Sequence, residues 1–83
     1  MNELSIINSM ENYRMAYIDR VFNYLDRRPE SPGVTASRIA SDTKVPRKTV
    51  MNRISDLRAE GHRIYSNRRL VNGKEVLYYR MGQ

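Results

Sequence analysis

The stretch TASRIASDTKVPRKTVMNRISDLRAEG, residues 35–61, decides the fold of this 83-residue chain. Thr35 is a favourable N-cap residue, and it precedes a short helix. Three residues of that helix are spaced to face inward: Ala36, Ile39 and Ala40. The next four residues, 42–45, predict a turn, and Pro46 suits the first position of a second helix, where its missing N–H is no loss. We therefore expect two short helices joined by a four-residue turn.

The second of these helices has a narrow apolar stripe and a broad polar face. Val50, Ile54 and Leu57 recur at i, i+4 and i+7, which is the spacing of one buried side of a helix. Gly61 follows as a typical C-terminal stop, so we expect the helix over residues 46–60. At about 100° per residue, four residues fall opposite the stripe and two on the flanks of the polar face: Lys48, Asn52, Ser55 and Ala59, then Thr49 and Met51.

An amphipathic helix is predicted before this stretch. From about Tyr13 onward, apolar residues recur at i, i+3, i+4 and i+7: Tyr17, Ile18, Val21, Phe22 and Leu25. Pro29 and the Pro32-Gly33 pair end the helix and predict a loop. Val34 is expected to form a short strand just before Thr35 and the helix that it caps.

A β-hairpin is predicted after the last helix, over residues 64–81. Asn72-Gly73 is the pair that most favours a two-residue type I′ turn. That turn sets the strand register, with four pairs expected: Val71 with Lys74, Leu70 with Glu75, Arg68 with Leu77, and Tyr65 with Arg80. Ile64, Leu77 and Tyr79 then share one face, which we expect to meet the core.

The positive charge of the chain is concentrated in its second half. Residues 1–44 carry six Lys or Arg and six Asp or Glu, whereas residues 45–83 carry nine against three, which accounts for the net charge of +6. A basic helix followed by a basic hairpin suits a polyanion, because Lys and Arg that meet phosphates release condensed counterions. We therefore expect double-stranded DNA as the partner.

Composition argues against several other classes of function. There is no cysteine and a single histidine, His62, so we expect no metal site, no cofactor, no catalytic residues and no enzyme activity. No apolar run approaches the roughly 20 residues that cross a bilayer, so we expect no membrane partner. The protein is expected to be cytoplasmic, and nucleoid-associated if its host is bacterial.

The outward face of the second helix of the 35–61 stretch supplies candidate base-reading residues. In the major groove, Arg and Lys bond guanine, Asn bonds adenine, and Thr can meet a thymine methyl group. The candidates are Arg47, Lys48, Thr49 and Asn52. Four further cations are candidate contacts to the DNA backbone: Arg53 near the edge of the apolar stripe, and Arg68, Arg69 and Lys74 around the hairpin tip.

These residues together resemble a known family. Residues 35–67, followed by RRLVNGKEVLYYRM, look like the winged helix-turn-helix domain, closest in style to the biotin-repressor and DeoR-like group. The matching positions are mostly scaffold positions: Ile39-Ala40, Val45, Thr49-Val50, Ile54, Leu57-Arg58, Gly61 and Ile64. The resemblance implies an α+β fold of three helices with a C-terminal β-hairpin wing. It implies that residues 46–60 enter the major groove, while the wing, residues 64–81, contacts the flanking backbone.

Because no ligand-sensing domain follows in this sequence, we expect a stand-alone small transcriptional regulator, phage-like in kind, whose DNA-binding domain covers residues 13–83. Two other functions stay open: docking on an acidic protein of the transcription or replication machinery, and an accessory architectural role that bends DNA. Residues 1–12 are expected to be a tail or an extension of the first helix. In the second case Leu4, Ile7 and Met10 would pair two copies, and a homodimer would engage two half-sites.

Overall fold

Residues 17–82 are described by a computed structural model, and they form three helices and a three-stranded antiparallel sheet. In chain order the elements are α1 over residues 17–26, β1 at Val34–Thr35, α2 at Ala36–Thr43, α3 at Arg47–Ala59, β2 at Ile64–Val71 and β3 at Lys74–Met81. β3 lies in the middle of the sheet, between β1 and β2. The predicted α+β fold, a winged helix-turn-helix with a C-terminal hairpin, is confirmed. The predictions for residues 1–12, including the face of Leu4, Ile7 and Met10, lie outside the described residues.

One apolar core joins the helices to the base of the sheet. Val21 and Leu25 of α1, Ile39 of α2 and Val50 of α3 are completely buried, as their helical spacing predicted. Full burial of side chains of this size stabilises the fold by about 1.5–3 kcal/mol each. The core therefore fixes how α3 packs on α1 and α2.

A polar cluster joins α1 to α2 at the edge of the core. Tyr24, which the sequence did not predict as a core residue, is only 8% exposed, and its hydroxyl donates to Oδ2 of Asp42. Arg38 donates to the same oxygen from Nε at 2.9 Å, and the guanidinium of Arg28 lies 3.8 Å from the centroid of the Tyr24 ring. Hydrogen bonds from Tyr24 and Arg38 lower the pKa of the Asp42 carboxyl. Burial, together with the bond to Asp42, raises the pKa of Tyr24.

The chain enters the sheet through a loop that fits closely against β3. Gly33 has a φ of +103°, and a Cβ at this position would lie 2.3 Å from the carbonyl oxygen of Tyr79. The next residue, Val34, pairs with Tyr79 in the predicted short strand. Thr35 then caps α2, because its hydroxyl accepts a hydrogen bond from the backbone N–H of Arg38 at 3.1 Å. The loop therefore ties the start of α2 to the sheet.

The turn between α2 and α3 is shorter than the predicted four residues. α2 continues through Thr43, whose hydroxyl donates to the carbonyl of Ile39 at 2.6 Å, and only residues 44–46 connect the helices. Lys44 reverses the chain in the left-handed conformation, with a φ of 62°. The prediction that Pro46 is the first helical residue is wrong by one position, because its ψ of 142° is extended. Pro46 is the N-cap, and α3 begins one residue later.

Candidate nucleic-acid interface

α3 turns one face to the core and the opposite face to solvent. Val50, Ile54 and Leu57 are 0%, 2% and 3% exposed, as predicted. The residues that were predicted to point outward, and the first helical residue, are exposed: Lys48, Asn52, Ser55, Ala59 and Arg47. Thr49 is half-buried at the flank of this face. Residues 47–55 contain three cations and no Asp or Glu, so this part of α3 is positive as well as exposed.

The end of α3 is joined to the wing, by which we mean β2, β3 and the turn between them. α3 ends at Ala59, one residue before the predicted end, and Gly61 follows with a φ of +103°. The N–H of Gly61 donates to the carbonyl of Arg58 at 3.0 Å, which satisfies one of the carbonyls left over at the helix end. The side chain of Arg58 donates from Nε and Nη2 to the carbonyl oxygen of Ile64, at 3.1 and 2.8 Å. These bonds hold the wing in a defined position beside α3.

The wing has the register that its turn sequence predicts. The Asn72-Gly73 turn has φ angles of 52° and 79°, both positive as a type I′ turn requires. The four predicted pairs are confirmed: Val71–Lys74, Leu70–Glu75, Arg68–Leu77 and Tyr65–Arg80. Ile64 and Tyr79 are buried as predicted, but Leu77 is 39% exposed, so its assignment to the core is wrong. The core reaches only the base of the hairpin, where Met81, which the sequence analysis did not assign to the core, is buried.

A cleft of about 420 Å³ separates α3 from the wing. Arg47 and Met51 line it from α3, and Glu75 and Leu77 line it from β3. Met51 and Leu77 are 41% and 39% exposed, so the walls of the cleft are partly apolar. Because Glu75 and Leu77 lie on alternate residues of one strand, they identify the face of the wing that is turned to α3.

The three cations of the wing tip are exposed but do not share one face. Arg68 lies on the face turned to α3, and its Nε is 3.9 Å from Oε2 of Glu75. Arg69 and Lys74 lie on the other face, because successive residues of a strand point to opposite sides. The side chains of Arg68 and Glu75 are 68% and 65% exposed, and solvent therefore weakens their mutual attraction. The wing tip thus has cations on both of its faces.

Arg53 lies on a different side of α3 from Arg47, Lys48 and Asn52. Together with Ile18 and Phe22 of α1 it lines a groove between α1 and α3, and its side chain is 22% exposed. Its Nε lies 2.8 Å from Oδ2 of Asp56 on the next turn of the helix. The predicted contact of Arg53 with the DNA backbone stays a prediction.

A helix-turn-helix (HTH) domain family matches residues 26–73, from the end of α1 to the turn of the wing. The chain belongs to this family. Membership supports binding to DNA and a role in transcription regulation, and HTH domains are typically not enzymes. No curated protein and no solved structure matches the chain significantly. None of the described helices of this HTH domain has the length and apolar content needed to cross a membrane.

Two side chains at the interface of the HTH domain were missed by the sequence analysis. Glu75 lines the cleft between α3 and the wing. Leu70, paired with it, is 74% exposed and is the most exposed large apolar side chain among residues 17–82. Strand alternation assigns both to the face turned to α3. Both are exposed because they lie beyond Tyr79, the buried residue of β3 nearest the tip. The sequence pattern does not show how far the core extends along the hairpin.

Proposed function

We propose that this HTH domain binds double-stranded DNA at specific sequences and regulates transcription. In this proposal α3 lies in the major groove and the wing lies on the flanking backbone. The observation that carries it is the outward face of α3, where Arg47, Lys48 and Asn52 are exposed and residues 47–55 contain no carboxylate. The major groove admits one α-helix, and the N–H groups at the start of a helix attract phosphate.

Base discrimination is assigned to four residues of α3: Arg47, Lys48, Thr49 and Asn52. The two cations would donate to guanine O6 and N7, and the amide of Asn52 would bond N6 and N7 of adenine. The methyl group of Thr49 would meet a thymine methyl group at the edge of the contact. A well-formed bidentate contact contributes about 1–3 kcal/mol of discrimination against the wrong base.

Affinity is assigned to phosphate contacts by four cations: Arg53, Arg68, Arg69 and Lys74. The resemblance to the biotin-repressor and DeoR-like group supports the same division of roles between helix and wing. The proposal extends to a homodimer that forms through residues 1–12 and engages two half-sites. A single domain of this size makes few base contacts, and a linked second domain raises the effective concentration of each domain at its half-site.

The test is a titration of the full chain into a dye-labelled, mixed-sequence duplex of about 25 bp, followed by fluorescence anisotropy across salt concentrations. We expect a dissociation constant of about 1 µM or below at low salt. Arg68→Ala/Arg69→Ala should make the slope of log K against log salt shallower by about 1–2, because each lost phosphate contact changes it by about 0.9.

The matched control is Arg20→Ala/Arg27→Ala, which removes the same charge from exposed positions at α1 and its end. This pair should leave the salt slope nearly unchanged, since neither side chain lines the cleft between α3 and the wing. An equal effect of the two double substitutions would mean that only net charge matters. No binding at low salt would overturn the proposal and favour an acidic protein of the transcription or replication machinery as the partner.

A further inference from the structure

The tip of the wing combines an exposed apolar side chain with basic neighbours. Leu70 is 74% exposed, and Val71 beside it is 40% exposed. They stand in the sequence RRLVNGK, residues 68–74, so cations flank them on both sides. Phosphate contacts do not require a leucine at the tip, and covering its side chain in a complex would be favourable.

The wing projects well past the core. Its buried row ends at Tyr79, which pairs with Ser66 of β2, and Leu70 lies four residues further along the strand. At about 3.3 Å per residue, Leu70 stands roughly 13 Å beyond that row. The minor groove is about 7.5 Å deep, so a projection of this length can reach its floor while the core stays outside the backbone.

The two faces of the tip differ in chemistry. Arg69 and Lys74 lie on one face, where they can hold phosphates. Leu70 lies on the other, opposite Glu75, whose carboxylate is near the guanidinium of Arg68. Leu70 itself cannot hold a phosphate, but its apolar side chain suits the stacked faces of base pairs.

We propose that Leu70 is a wedge that the wing inserts into the minor groove, between adjacent base pairs, so that the bound duplex bends. The inference rests on the proposed DNA binding and adds to it a contact that sequence-independent phosphate binding does not require. Apolar wedges of this kind partly unstack one base step and kink the duplex by about 20–90° towards the major groove. The steps that open most readily are pyrimidine–purine steps, TA and CA/TG, so these are the sites where Leu70 inserts.

The choice of DNA over an acidic protein follows from the shape of the tip. Leu70 and Val71 stand at the end of a two-stranded projection that closes in a two-residue turn, and residues 68–74 place three cations around them. A narrow, basic, apolar-tipped projection matches a narrow groove with phosphates on both sides. If the tip instead docked in an acidic pocket of a protein, the domain would bind duplex DNA without bending the duplex.

The experiment measures bending with donor and acceptor dyes on the two ends of a duplex of about 25 bp that contains TA and CA/TG steps. Saturation with the full chain should raise the energy transfer between the ends. Leu70→Ser should bind within about threefold of the unchanged protein yet lose most of that rise, because its phosphate contacts remain. Since Leu70 is exposed, this substitution leaves the fold intact, which far-UV circular dichroism verifies.

Arg69→Ala is the matched control from the same tip. It should weaken binding and make the salt slope shallower by about one, but bend the duplex normally once saturated. A second readout uses the fact that the chain has no tryptophan. The fluorescence of Leu70→Trp should be strongly quenched by duplex as the ring stacks on bases, whereas that of Glu60→Trp, an exposed position after α3, should change little.

Each outcome has one meaning. Loss of the bend in Leu70→Ser with binding retained supports the wedge. A duplex that is bound but straight, or one that Leu70→Ser bends as well as the unchanged protein, overturns the wedge and leaves the proposed function standing. No binding of the duplex by any variant overturns both.

Discussion

At Gly33 a single hydrogen atom in place of a side chain allows the entry loop to touch β3. We expect Gly33→Ala to destabilise the fold by more than the usual cost of a left-handed residue, which is about 1–3 kcal/mol. The added methyl group would lie 2.3 Å from the carbonyl oxygen of Tyr79, so the pairing of Val34 with Tyr79 would have to open. A domain of this length is stable by roughly 4–12 kcal/mol, so the loss is measurable by urea denaturation.

Gly61 provides the matched control for this substitution. It has the same φ of +103°, but a Cβ there would meet no atom within 4 Å. Gly61→Ala therefore carries the conformational cost alone, and the difference between the two variants isolates the contact with β3. Equal losses of stability would show that β1 adapts to the methyl group and that the close approach is not needed.

Predictions for single residues succeeded where they depended only on residues nearby in the sequence. Thr35 was predicted as an N-cap from its residue type and its place before a helix, and the hydrogen bond that it accepts from the N–H of Arg38 confirms it. Gly33 was recognised only as part of a loop, because its close neighbour lies on β3, far along the chain. Tyr24 was missed although it lies three residues after Val21 and seven after Tyr17, whereas its bond to Asp42 could not be read from the sequence because Asp42 is on another helix.

The contact between α1 and α2 should make the stability of the fold depend on pH at both extremes. The carboxyl of Asp42 has a lowered pKa in the folded state, mainly because of the hydrogen bond from Tyr24. The contribution of Asp42 to the stability of the fold is therefore complete above the ordinary carboxyl pKa of 3.8, and it is lost as pH falls through the lowered pKa. The pKa of Tyr24 is raised above 10.0, mainly by burial, so its contribution is complete below that pH and is lost as pH rises through the raised value.

Tyr24→Phe tests this dependence by removing only the hydroxyl group. The variant should be less stable than the unchanged protein near neutral pH, with a difference that narrows in strong acid and in strong base. Thermal unfolding followed by circular dichroism across the pH range measures it. Tyr65→Phe is the control for the loss of a hydroxyl group, because Tyr65 is 43% exposed. A constant difference between Tyr24→Phe and the unchanged protein at all pH values would contradict the assignment.

The elements themselves were predictable to different degrees. The stripe of α3 and the hairpin register follow from helical spacing and from one turn dipeptide, both of which are local, and both were confirmed. The end of α2 was placed too early, because residues 42–45 look like a turn while Lys44 alone makes the reversal. Leu77 was placed in the core by strand alternation, which gives the face of a residue but not the depth of the core beneath it.

For the molecule as a whole, the charge is distributed unevenly along the chain. Residues 1–44 have balanced charges, whereas residues 45–83, which form α3 and the wing, carry the entire net charge of +6. This polarity was readable from the sequence, and it led to the expected class of ligand before any geometry was known. Only the fold shows which faces of α3 and the wing carry the cations, because Arg68 and Arg69 are adjacent in the sequence but lie on opposite faces of the wing.

A ligand that binds only the folded state stabilises the whole domain, so duplex DNA should raise its melting temperature. At a free duplex concentration of 100 times the dissociation constant, the gain is about 2.7 kcal/mol. In a domain of this size that corresponds to a rise on the order of 10 °C. The rise should shrink steeply as salt is added, because counterion release supplies most of the affinity.

An inorganic polyphosphate of matched charge distinguishes groove recognition from attraction to any polyanion. It offers phosphates but neither a major groove for α3 nor base steps for the wing, so it should raise the melting temperature less than the duplex does at equal phosphate concentration. Arg68→Ala/Arg69→Ala should reduce both rises, whereas Asn52→Ala should reduce neither on mixed-sequence DNA, since a base contact adds little where the sequence is wrong. Equal stabilisation by the two polyanions would show that α3 and the wing respond to charge and not to the shape of the duplex, and the assignment of α3 to the major groove would fail.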